Sequence, residues 1–299
     1  MSLSTDHGPE ASIATLHGDV VRYRNRQSGE LIVERAPGLG LLHWLYCTRP
    51  GGLCLRLLVR YQLFSDLYGW WQKRSFTRRN IRAFVERYGI DLAELELPLE
   101  RYSNFNNFFT RRLKSEARPF ATAPEVFCSP ADGKVLVYPH LAKGALLPIK
   151  GGVISINALL GQITDLESYL GGAALVVRLA PYDYHRFHFT DDGEVTETRS
   201  LAGYYHSVNP LALEKMPEIF CLNKRSICQL HSPNFGRMTI VEVGALNVSS
   251  IVQTHAIGPV TRGQEKGYFQ FGGSTVILLF EAASVVFDAD LIADSATGL

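Results

Sequence analysis

The chain has 299 residues, 46% of them hydrophobic, with 30 Lys and Arg against 29 Asp and Glu. That length and apolar content support a full hydrophobic core and exclude a disordered chain. A formal charge of +1 also removes the basic excess expected of a general nucleic-acid binder. Five cysteines without short paired spacing read as buried thiols of a reducing compartment, not as a disulfide framework or a zinc knuckle. The polar residues 1–10 lack the charged-then-apolar order of a secretory signal, and no apolar run is long enough to span a bilayer.

In chain order, residues 1–35 are mixed and polar, with an alternation at Gly29-Glu30-Leu31-Ile32-Val33 that predicts a small ribbon. Over residues 39–72 apolar side chains recur at helical spacing, including Trp44, Leu45, Leu57, Leu63, Leu67, Trp70 and Trp71. A break is expected near Pro50-Gly51-Gly52. Residues 49–87 carry nine Lys and Arg against Asp66 and Glu86. Two readings stay open for this segment: a helix packed on the domain, or a peripheral membrane face in which aromatics enter the headgroup layer and arginines meet anionic lipid. Residues 77–88 predict a further helix, with Thr77 as N-cap and Gly89 closing it. The polar-aromatic stretch 102–113 predicts a short docking helix, and Pro119 and Pro124 mark a change of regime. Strands are expected at 133–138, 173–179, 236–243, 248–254, 268–271 and 275–280, interrupted by helices at 156–160 and 164–170. The fold class is α+β: a helical N-terminal region, residues 1–118, packed on a β-rich catalytic domain, residues 119–299.

Chemistry concentrates at a few positions. Phe271-Gly272-Gly273-Ser274-Thr275 joins a flexible diglycine to a hydroxyl group just before an apolar strand. A serine hydroxyl is un-ionised near neutral pH and needs an adjacent base oriented by a third group. His185 and His188 lie in a dense polar-aromatic cluster, Asp183-Tyr184-His185-Arg186-Phe187-His188. Three apart in an extended segment, they face opposite ways, which favours separate tasks over a shared metal, and no third ligand has convincing spacing. Asp132, in Ser129-Pro130-Ala131-Asp132-Gly133, reads on its own as an ordinary turn residue, with a carboxylate at the site as the lesser alternative. No GxSxG elbow, GxGxxG or Walker loop is present.

Read together, these segments resemble phosphatidylserine decarboxylase proenzymes. The resemblance rests on Asn104-Phe105-Asn106-Asn107-Phe108-Phe109-Thr110-Arg111-Arg112-Leu113-Lys114, Ser129 to Gly133, Ile149-Lys150-Gly151, the His185 to His188 cluster, Val208-Asn209-Pro210, and Gly263-Gln264-Glu265-Lys266-Gly267-Tyr268-Phe269 leading into Gly273-Ser274-Thr275. It implies self-processing. Ser274 attacks the Gly273 carbonyl, the chain cleaves between 273 and 274, and the serine becomes a covalent pyruvoyl group. The products are a β chain, 1–273, and an α chain, 274–299. The resemblance further implies Asp132, His188 and Ser274 as the processing relay, with His185 serving decarboxylation. Phosphatidylserine would condense with the pyruvoyl group as a Schiff base, lose CO2 and leave as phosphatidylethanolamine. It implies no metal, a homodimer, and a peripheral position on an anionic membrane at the cytoplasmic face.

Three positions depart from the family pattern: Gly272 stands where leucine is usual, Arg262 where lysine is usual, and Lys224 where glutamate is frequent. None removes an atom that self-cleavage needs, although Lys224 reverses a charge and bears on headgroup preference. Two competing readings are a pyruvoyl decarboxylase for a different or soluble amino-acid substrate, and an unprocessed binding protein that kept the fold.

Overall fold

The computed structural model describes residues 21–34, 38–141, 146–149, 152–161, 166–246, 250–270, 272 and 274–298. Residues 150–151 of one motif, 164–165 of a predicted helix, 248–249 and 271 of predicted strands, and Gly273 lie outside them.

The expected ribbon forms as β1 (Arg22–Arg24) paired with β2 (Leu31–Val33). Its end is tied to the rest of the chain by ions: the buried Glu34 carboxylate pairs with Arg178, while Arg24 and Arg26 meet Asp294 and Asp290. Helices α1 (Leu39–Cys47) and α2 (Arg49–Cys54) follow. The break between them falls at Thr48, whose hydroxyl caps α2 through Gly51 N, and Pro50 fits the first turn, where no backbone donor is needed. After a π-helical turn at Leu55–Val59 comes α3 (Gln62–Gln72).

Helix α3 is amphipathic in an inverted sense. Ser65, Gly69 and Gln72 are buried, while Leu63, Leu67, Trp70 and Trp71 are more than half exposed. Helix α4 (Arg79–Tyr88) ends at Gly89 in the left-handed conformation, as expected. Thr77 is not its cap: the residue sits in a 3-10 turn, and its hydroxyl accepts from Phe105 N. Helix α5 (Phe105–Phe109) is capped by the Asn104 side chain on Asn107 N, and packs Phe105, Phe108 and Phe109 with Ile81, Val85 and Leu95 into a small core.

The second part is β-rich. In chain order its elements are β3 (Lys134–Tyr138), β4 (Leu146–Ile149), β5 (Gly152–Ser155), α6 (Ile156–Leu160), β6 (Ala173–Leu179), β7 (Arg186–His188) and β8 (Gly193–Leu201), then α7 (Pro210–Lys215), α8 (Ile219–Leu222), β9 (Arg225–Ser232), β10 (Gly236–Gly244), β11 (Ser250–Gln253), β12 (Gly258–Val260), β13 (Glu265–Gln270), β14 (Ser274–Phe280) and α9 (Ala289–Thr297). Seven strands form one antiparallel sheet in the order β12-β8-β9-β10-β14-β6-β3. Every residue of β14, Ser-Thr-Val-Ile-Leu-Leu-Phe, is buried, which explains an apolar run without alternation: the strand is covered on both faces. A smaller sheet, β11-β13-β7, places Phe187 and Phe269 in the same core. The two sheets are joined by polar atoms as well. Lys266 Nζ of β13 lies 2.7 Å from Glu242 Oε1 of β10, both wholly buried, and Gln253 of β11 accepts from Lys266 and donates to Glu242 and Ser226.

Candidate active site around Ser274

Ser274 is the first residue of β14, held between Gly244 of β10 and Leu179 of β6. Its side chain is fully buried, and its Oγ lies 3.3 Å from Nδ1 of His185. The other imidazole nitrogen, Nε2, is 3.0 Å from the Ala180 carbonyl, which can only accept. His185 therefore carries its proton on Nε2 and turns an unprotonated Nδ1 towards the serine hydroxyl. Burial, and then the positive charge of Arg111, push the His185 pKa down to about 3, so the ring is neutral at physiological pH. Phe109 of α5 stacks on this ring at 4.0 Å between centroids, so the helical region supplies one wall of the site.

The chain approaches Ser274 along β13, whose Phe269 N donates to the His185 carbonyl and whose Glu265 lies opposite His188 of β7. Gly272, next to the diglycine bond, has φ 131°, a backbone state in which a side chain is strained.

His188 occupies the other side of its segment, as the spacing predicts. Its backbone N donates to the Pro130 carbonyl, and its ring stands beside Tyr184 and Phe120. Burial lowers its pKa, Glu265 and Asp132 act to raise it, and Arg186 acts to lower it. Asp132 accepts two hydrogen bonds from Arg118 Nε, at 3.0 and 2.9 Å, and Arg118 is shared with Glu94. The structure thus brings together Ser274 and His185. Among the described residues, Asp132 and His188 form no hydrogen bond with each other or with Ser274. Phe109 and Arg111 were not singled out from the sequence as site residues. Their only signal is the dense Phe108-Phe109-Thr110-Arg111 run within the family motif.

A buried serine hydroxyl facing an unprotonated imidazole stands at the start of a central strand of the large sheet. The class is an α+β protein built on a seven-stranded antiparallel sheet. The phosphatidylserine decarboxylase family model matches residues 105–295, and this chain belongs to that family of decarboxylases. It is 41% identical to the phosphatidylserine decarboxylase proenzyme of Ruminiclostridium cellulolyticum over 280 residues, which cover 93% of each chain. It is 42% identical to the proenzyme of Chlamydia felis, over 93% of this chain and 94% of the relative. The proenzyme of Clostridium botulinum strain Langeland is 40% identical over 93% of this chain and 95% of the relative.

Proposed function

We propose that the chain is a self-processing decarboxylase that converts phosphatidylserine to phosphatidylethanolamine and CO2 with a pyruvoyl group made from Ser274. The observation that carries this reading is the 3.3 Å approach of Ser274 Oγ to the unprotonated Nδ1 of His185. In self-processing, Ser274 Oγ gives its proton to an imidazole and attacks the Gly273 carbonyl, so the peptide link becomes an ester. Elimination across the Cα–Cβ bond of residue 274 releases Gly273 as a carboxylate and leaves a dehydroalanine, which hydrolyses to a pyruvoyl group with loss of ammonia. The residues fit such a group: the residue that would become it is buried, with one imidazole in reach and Phe109 stacked on that ring. Such a group would supply an electrophile for the substrate amine and a sink for the electron pair left by CO2.

The two histidines divide the proton work. His185 aligns Ser274 and is the first acceptor, and once the hydroxyl is gone the same ring faces the reacting headgroup. A positive charge is disfavoured there, because the ring is buried beside Arg111. Burial lowers the His188 pKa as well, with Glu265 and Asp132 opposing that effect, and its task is to exchange protons on the other face of the segment. An intact-mass measurement on purified variants tests the division. His185→Ala should remain a single chain. If His185→Ala is cleaved while His188→Ala is not, His188 is the processing base and His185 serves decarboxylation alone.

The N-terminal helices supply the peripheral membrane face of this reading, on the anionic cytoplasmic leaflet. Support comes from the inverted α3, whose large apolar side chains point outward beside Arg74 and Lys73. Among the described residues no helix is long and apolar enough to cross a membrane. A homodimer is part of the same proposal, as is a boundary near residue 118 between the membrane-facing and catalytic parts. The small core of α4 and α5 lies before that boundary, and the main core, from Val137 to Phe280, after it.

A further inference from the structure

Arg111 is a buried cation with unused donors. It is 4% exposed and no carboxylate pairs with it among the described residues. Its Nη2 donates to the carbonyls of Tyr182 and Asp183, at 3.0 and 3.2 Å, and its Cζ lies 5.1 Å from the Phe108 ring centroid, but among the described residues Nε and Nη1 have no hydrogen-bond partner. The acids that act on it are engaged elsewhere, Asp183 with Lys134 and Asp132 with Arg118. The hydroxyl of Tyr102, the largest electrostatic influence on Arg111 after burial, is also buried; the Leu97 backbone N–H faces its oxygen, and its own proton has no acceptor among the described residues. Orphaned buried donors are costly, and a guanidinium more so than a neutral group, so a site that keeps them is built for an acceptor.

The place of this cation ties it to the reaction. Phe109, two residues before it, stacks on His185, and after burial the Arg111 charge is the strongest influence on that ring. An anion held here lies beside the reacting centre. The headgroup in the reading above carries two anions, a carboxylate and a phosphodiester. An ion pair with the carboxylate would be strongest before CO2 leaves and would weaken as its charge flows away, which raises the barrier. The phosphodiester keeps its charge throughout, and its oxygens match the planar fork of a guanidinium.

We propose that Arg111 Nε and Nη1, together with the Tyr102 hydroxyl, bind the phosphodiester of the headgroup and so anchor substrate and product alike. This inference rests on the decarboxylase reading of Ser274. Conversion of the unaltered protein into two chains, with CO2 release, tests that reading separately. The test of Arg111 is steady-state kinetics in mixed micelles on Arg111→Gln, with phosphatidylethanolamine as competing product. The expected result is a rise of at least about tenfold in KM for phosphatidylserine and an equal rise in the inhibition constant of phosphatidylethanolamine. Three outcomes overturn the proposal. A raised KM with an unchanged product constant makes the carboxylate the bound group. A lower kcat alone makes Arg111 a brace for the segment before His185. Unchanged constants leave the donors to water. Should Arg111→Gln fail to process, Tyr102→Phe and the unaltered enzyme carry the test. Glycerophosphoethanolamine should compete on the unaltered enzyme and ethanolamine should not. Tyr102→Phe should weaken that competition severalfold, and equal behaviour of the two soluble compounds, or none by either, refutes the site.

Discussion

Ser274 differs from an ordinary buried serine in what its neighbours do to its proton. His185 is locked by the Ala180 carbonyl into the tautomer that accepts, and Phe109 fixes the plane of the ring. Ser274→Ala is expected to leave one uncleaved chain of 33.3 kDa without decarboxylase activity, read by intact mass and CO2 release. Gly272→Ala places a side chain on a backbone at φ 131°, and should slow cleavage by the equivalent of about 1–3 kcal/mol in a time course after synthesis. Two buried histidines set the response to acid. The His185 pKa is about 3 and that of His206 about 4, both lowered chiefly by burial and both below the ordinary 6.5. The unfolded chain thus binds protons that the native one refuses. Their contribution to stability is complete above about pH 6.5 and is lost as pH falls towards 4 and 3, at up to about 1.4 kcal/mol per unit for each ring. His206→Gln should flatten the fall in urea midpoint between pH 6 and 4 by roughly one proton; an unchanged slope would assign the acid sensitivity elsewhere. At this scale the sequence singled out Ser274, Asp132 and both histidines, and the opposite faces of the two histidines followed from the spacing. Which ring meets the serine did not follow, since that depends on how β13 and β7 pair and on a stack with Phe109 across 76 positions of chain.

At the scale of elements, the apolar periodicity of residues 39–72 marked helices correctly but could not say which way their stripe faces. A helical pattern is the same whether its apolar side meets a core or a bilayer. The answer on α3 lies in small residues, Ser65 and Gly69, that allow close packing inward and leave Leu63, Leu67, Trp70 and Trp71 outward. Replacing Leu63, Leu67, Trp70 and Trp71 with serine is expected to release the protein from anionic vesicles in co-sedimentation while leaving its melting temperature nearly unchanged. Equal binding would show that this surface does not meet lipid. The corner between α1 and α2 is tighter than the predicted break implied. A Cβ at Gly51 would lie 1.9 Å from the Trp44 carbonyl oxygen, so the helices cross in backbone contact. Gly51→Ala should lower thermal stability by about 2 kcal/mol or more, because rigid main chain must move. Strands β3, β6, β10 and β14 were legible because their Val, Ile and Leu runs are long, whereas β8 and β9, which mix polar and apolar residues, were not among the expected strands. Thr77 was misread as a cap because a threonine before a helix carries the same signature when its hydroxyl serves a neighbouring segment.

Across the whole molecule, the Lys266–Glu242 pair joins the two sheets on the same strands that position Ser274. A buried pair adds little over an apolar substitute, but losing one partner strands the other charge. Lys266→Met alone should destabilise by about 3–5 kcal/mol, and Glu242→Leu with Lys266→Met should recover most of it in urea unfolding. Sheet order was not legible in the sequence, because the antiparallel neighbours of β14 are β10 and β6, one of them nearly 100 residues earlier in the chain. That central position has a further consequence. Seven buried residues of β14 hold hydrogen-bonded neighbours on both sides, so the proposed cut before Ser274 would leave the piece in place. It would also remove the tether that delivered the strand to its slot. An intact precursor would find its sheet at a rate independent of concentration, whereas a denatured two-chain protein would have to reassemble from two molecules. Under the proposed processing, folding would be an event the chain completes once, and the two-chain protein would persist by the height of its unfolding barrier.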